Sequence, residues 1–151
     1  MKKILFAVLG VVVILGGAGG TWAYLRFHSL AKSEPAPPKP IYFAHLDNLV
    51  VSVPADSTGQ SGQAYVQFSV EFASTDPEAV AAFTNLQPII TAQVINLLMS
   101  QNAAQLMNPA AHTALAKNCL DIANGVLNKS AAYSPPNPFS AAYITNIVQQ
   151  D

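Results

Sequence analysis

The sequence is short of charge, and shorter still of positive charge. Charged residues make up 10% of the 151-residue chain, where an ordinary soluble domain carries about a quarter. Arg26 is the only arginine. Residues 1–40 hold Lys2, Lys3, Arg26, Lys32 and Lys39 against Glu34, while residues 41–151 hold Lys117 and Lys129 against seven acids. A body with two lysines and no arginine has no electrostatic footprint for nucleic acid. So little charge of either sign also gives a lone domain weak protection against association. Cysteine is nearly missing too. Cys119 stands alone, which excludes a disulfide within this chain, a CxxC pair and a zinc spacing.

Catalytic patterns are also lacking. No glycine-rich phosphate loop follows a strand, and there is no GxSxG, HExxH or EF-hand pattern. The ionisable groups that acid–base work needs are scarce in the body. His45 and Asp47 lie two apart on a strand and so face one side, a pair that could serve a base or a metal. No third member is visible, and the plainer reading is a solvated strand face. His112 falls in the first turn of a helix and is expected to be exposed. His28 has no second ligand near it. No enzyme activity, cofactor or metal is expected.

What the chain does have is one long apolar run, "ILFAVLGVVVILGGAGGTWAYL", from Ile4 to Leu25. As a helix its 22 residues span roughly 33 Å, close to the hydrocarbon thickness of a bilayer. Lys2 and Lys3 flank one side. Trp22, Tyr24 and Arg26 sit where an interfacial belt would fall. The alternative is a secretory signal, with Ile4–Leu15 as its core and "GGAGG" offering small residues for cleavage, which would release a binding module into the cell envelope. The anchor is the stronger reading, because the apolar run does not stop at the glycines. Gly16 and Gly20 make a GxxxG spacing that could pack two anchors together, although glycine is frequent in such segments anyway.

A proline-rich stretch follows. "FHSLAKSEPAPPKP" carries Pro35, Pro37, Pro38 and Pro40 and reads as a semi-rigid polyproline spacer. From Glu34 to Pro40 it would reach on the order of 20 Å. The expected organisation is an N-terminus at residues 1–3, a span at 4–25, a linker at 26–40 and a body at 41–151.

Within the body, residues 41–53 read as a strand with a bulge at Asp47-Asn48. "AYVQFSVEF" alternates strictly, with Val66, Phe68, Val70 and Phe72 on one face. Asp76 caps a helix that starts at Pro77 and runs to about Leu86, where Pro88 kinks it or begins a second helix. From Pro88 to about Met99, Ile90, Val94, Leu97 and Leu98 share a face, while Ile89 and Ile95 fall off it. A helix apolar on most sides must be covered on most sides, by its own core or by a neighbouring subunit. Asn108-Pro109 opens a further helix to about residue 127, with Leu115, Cys119, Ile122 and Val126 on one stripe and Asn124 off it. Cys119 there is a buried apolar residue. "AAYITNIVQQ" closes the chain as a third strand. Strand, strand, helices, strand predicts an α+β domain, a small three-stranded sheet covered on one face by two or three helices.

This order of features resembles the FliL family of flagellar proteins. "LDNLVVSV" looks like the family's L-E-P-F-V-V-N-L, with Leu46, Val50 and Val51 matching, Asn48 where proline is usual, Leu49 where phenylalanine is and Ser52 where asparagine is. "YVQFSVEF" followed by "DPEA" is similar to its strand and helix start. "LQP" followed by Ile90, Val94, Leu97 and Leu98 resembles its proline-containing helix. Pro109, Leu115, Asp121, Asn124, Val126 and Leu127 fall at the family spacing. "YITNIVQ" resembles Y-F-T-x-F-V-x-Q, keeping Tyr143, Thr145, Val148 and Gln149.

The resemblance implies a non-catalytic protein of the inner membrane, N-terminus inside and body in the periplasm. It implies a stomatin-like (SPFH-like) domain that assembles in rings around the stator units and supports torque, motility and swarming. Its partners would be copies of itself, stator and basal-body proteins, and the membrane. On that reading Ile89 and Ile95 become candidates for a subunit interface.

Overall fold

The computed structural model describes residues 37–56, 58, 62–130 and 135–150. The chain divides into two units, Met1–Pro38 and Lys39–Asp151. Only Pro37 and Pro38 of the first are described, and both are exposed. The expected span from Ile4 to Leu25, with Gly16 and Gly20, therefore lies outside the described residues. Among those described, no helix is long and apolar enough to cross a membrane.

Alternation of apolar residues builds the sheet. β1 (Tyr42–Pro54), β2 (Gln63–Ser74) and β3 (Ala141–Gln150) form one antiparallel sheet in the order β1-β2-β3. On the inner face of β2, Val66, Phe68, Val70 and Phe72 are fully buried, as their spacing predicts. β1 needs a correction in its middle to do the same. Ala44 and Leu46 are buried at even positions, Val51 and Val53 at odd ones. In an unbroken strand one pair would point to solvent. The register shift between Leu46 and Leu49 inserts one extra residue and turns both pairs inward. Asn48 takes φ 56° there, a left-handed conformation that asparagine tolerates better than most residues. Its amide donates to Ser69 Oγ at 3.1 Å, and its side-chain oxygen accepts from Gln67 Nε2 at 2.8 Å. The bulge expected at Asp47-Asn48 is therefore present, and its displaced amide has a partner. β3 shifts register opposite the same point, between Ser69 and Val70. Both edge strands thus bend at one level of β2.

α1 (Pro77–Met99) starts as predicted. Asp76 accepts from the Glu78 amide at 2.9 Å, and proline occupies the first turn. At Pro88 the sequence suggests a kink or a new start, but a single helix runs through it. Pro88 and Thr84 are both exposed, so the carbonyl that loses its N–H partner to the proline ring lies on the solvent side. α2 (Ala103–Leu106) is a single turn closed by a capping box between Asn102 and Gln105. α3 (Pro109–Lys129) is capped by Asn108, which accepts from the Ala110 amide.

α1 packs mainly on β1, and α3 packs on β3 and against α1. Two helices thus cover one face of three strands, the two-layer α+β arrangement predicted from the element order. The core lies between the layers. Phe72, Phe83 and Phe139 form its aromatic centre, with ring centroids 5.3–5.7 Å apart, within the range where aromatic pairs attract. The pairings Phe43–Ala73 and Ala73–Ala141 place the start of β1 at the sheet end where the proline-containing segment 135–140 arrives.

Candidate functional surface

The residues that looked chemical are placed apart. His45 Nδ1 stands 3.3 Å from Glu71 Oε1 across the β1–β2 pairing, on an open face. Its partner is the carboxylate of the neighbouring strand and not Asp47. At half exposure such a pair contributes little. Among the described residues no three His, Cys, Asp or Glu side chains come together as a metal-binding group. Cys119 is fully buried, and desolvation pushes its thiol from 9.0 up to about 12. It is a proton-bearing core residue at any physiological pH, as the helix stripe implies. His112 differs from expectation. It is half-buried, and its Nε2 donates to the Leu106 carbonyl at 2.9 Å, closing the turn between α2 and α3.

Asn124 is the residue that helical periodicity misplaces. It is 7% exposed. Its Nδ2 donates to the Phe139 carbonyl at 3.0 Å, and its Oδ1 accepts from the Phe139 amide at 2.9 Å. One side chain thus satisfies both backbone groups of a buried loop residue and fixes the approach to β3. Ser74 Oγ donates to the Pro138 carbonyl at 2.7 Å, and the Ser140 amide donates to the Ala73 carbonyl. Periodicity sees only a polar residue in a helix. The family spacing does single out Asn124.

Ile89 and Ile95 take different positions. Ile89 is 48% exposed and lines a shallow groove of about 330 Å³ between α1 and α3, with Gly125 and Ile122 opposite. Gly125 sits inside α3 with open space where a side chain would be. Nothing in the described body requires glycine there, although it costs about 0.5–1 kcal/mol relative to alanine in a helix. Ile95 is half-buried and packs against the core. Six residues apart, the two side chains emerge about 120° apart around the helix. They lie on two flanks of α1 and do not form one patch.

The sheet face away from the helices is uncovered among the described residues. Phe43, Val50, Tyr65, Tyr143 and Val148 are exposed on it, with Gln67 and the His45–Glu71 pair between them. A larger groove of about 640 Å³ runs between the flank of α3 and β3.

The two-layer α+β body thus exposes apolar residues both on its helix layer and on the open sheet face. The family described as flagellar basal body-associated protein FliL matches residues 42–150, from the start of β1 to the end of β3. The chain belongs to the FliL family. No curated protein matches it.

Proposed function

We propose that this protein is a non-catalytic scaffold of the bacterial flagellar motor. A single-pass anchor at residues 4–25 holds it in the inner membrane with its N-terminus inside. The proline-rich linker at 26–40 joins the anchor to the periplasmic body of residues 41–151. Bodies associate side by side around stator units and brace them, supporting torque, motility and swarming. The observation that carries this reading is the family match across the whole folded body.

The surfaces suit such an assembly. A ring of identical subunits joins unlike surfaces head to tail, and the two flanks of α1 differ. The Ile89 flank borders an open seam with Gly125, where a neighbour's backbone can approach closely. The Ile95 flank is partly occupied by the body's own core. Ile89 is therefore the cleaner interface probe.

The full chain, extracted from membranes in mild detergent, should run as an oligomer, and Ile89→Asp should reduce it to smaller species with an unchanged circular dichroism spectrum. An Ile89→Asp chain that keeps its oligomer would remove this flank from the interface. A soluble chain beginning near Thr21 would replace the anchor with a cleaved signal.

A further inference from the structure

We propose that β3 is an acceptor edge, and that the groove beside it takes an extended peptide segment of another protein as a fourth strand of the sheet. The first observation is a mismatch of widths. Two packed helices lie roughly 10 Å apart and are each about 10 Å across, a layer roughly 20 Å wide. Three strands spaced about 4.8 Å apart cover markedly less, and four would match it. The excess falls on the α3 side. The lateral flank of α3, through Thr113, Ala116, Lys117 and Leu120, lines a cleft of about 640 Å³ together with β3 from Ala141 to Ile147. An added strand would lie in that cleft with its inner side chains against Ala116, Leu120 and Ile144.

The second observation is the composition of the edge. "AAYITNIVQQ" contains no charged residue, proline or glycine. Proteins use such residues to blunt an exposed edge. Every second residue of a strand turns its N–H and C=O sideways, so an open edge offers a ladder of donors and acceptors to an incoming strand. Among the described residues no strand pairs with that side of β3.

The occupant follows from what surrounds the cleft. A second copy is a poor fit, because β1 carries α1 above it and β3 carries α3. Joining edges would drive a second helix into the space beside α3. The chain's own linker is also a poor fit, since Pro35, Pro37, Pro38 and Pro40 have no N–H to give a ladder. A bare extended segment needs only the cleft. Its inward positions would be small or β-branched aliphatics, matching Ala116, Ala142 and Ile144. No acidic residue lines the cleft, whereas Lys117 stands at its rim. Lys117 holds Asp121 at 2.6 Å in an exposed pair, which is weak enough to be shared. An acidic residue on the peptide would meet it there.

This proposal rests on the fold and stands apart from the scaffold reading. The test uses the full chain in detergent micelles and a capped, fluorescein-labelled peptide of about eight residues, alternating valine and threonine with one aspartate. Binding is read by fluorescence anisotropy and located by hydrogen–deuterium exchange. The peptide should bind and slow exchange in β3. Ala116→Trp, which fills the cleft from a half-buried position, should weaken binding by about tenfold or more. Thr84→Ala, at an exposed position on α1 that lines neither groove, should leave it unchanged. Replacing alternate peptide residues with proline should abolish binding. No binding by the parent peptide, protection on β1 in place of β3, or equal affinity for the Ala116→Trp chain would overturn the proposal. So would a self-association that Ala116→Trp abolishes, because the edge would then belong to a second copy.

Discussion

The two edges of the sheet solve the same problem in opposite ways. β1 is blunted. It follows Pro40, carries His45 and Asp47 on its exposed side and breaks at Asn48, all devices that discourage pairing with another chain. β3 has none of them except its own bulge. It is also the strand most dependent on a few buried contacts. β1 and β2 follow each other directly in the chain and pair up to Pro54–Gln63, and in the connection Asp56 Oδ1 accepts from the Thr58 amide and hydroxyl. β3 returns to the sheet only after three helices, and Asn124 and Ser74 pin the segment that delivers it. The edge that is open to partners is therefore the one held from beneath. This is the expected arrangement if β3 must stay ordered without a neighbour of its own.

The largest break in that comparison should come from Asn124→Leu. It leaves both buried backbone groups of Phe139 unpaired, at a cost of about 3 kcal/mol. Denaturant unfolding should report the loss, and amide exchange should accelerate in β3 well before β1. Asn48→Val is smaller and opposite in place. Forcing a β-branched residue to a positive φ costs about 1–2 kcal/mol, and the loosening should be confined to β1. The third contrast vanishes at neutral pH. Burial raises the Cys119 thiol from 9.0 to about 12, so the folded state retains its proton more firmly than the unfolded chain does. That contribution is fully present below pH 9.0 and is lost progressively as pH rises towards about 12. Since α3 lies over β3, alkaline loosening should begin on that side. In Cys119→Ala the stability should fall less steeply over this window.

Much of the fold is legible in the sequence because it follows from local rules. Strict alternation locates β2. Asp76-Pro77 and Asn108-Pro109 announce two helices. The Asp47-Asn48 break is visible because alternation stops there and the strand turns almost wholly apolar. Three features are not legible, each for a tertiary reason. Pro88 reads as a kink or a new helix start, and the new start does not occur because its exposed face lets one helix run on. Asn124 reads as a solvent residue because periodicity cannot know that Phe139 will present two bare backbone groups to it. His112 reads as exposed because its partner, the Leu106 carbonyl, comes from a one-turn helix too short for apolar periodicity to show. The candidate surface is legible only in part. Ile89 and Ile95 stand out together as apolar residues off the core face, yet only the packing of α3 separates the seam flank from the core flank.

The central claim is that this body works by holding neighbours in place and not by chemistry. Single-motor torque in cells carrying Ile89→Asp at the native locus tests it most directly, with a deletion strain and a His45→Ala strain beside it. The account predicts that Ile89→Asp lowers torque as the deletion does, with flagellar number unchanged, and that His45→Ala keeps full torque. Full torque in the Ile89→Asp cells, with torque lost in the His45→Ala cells, would contradict it.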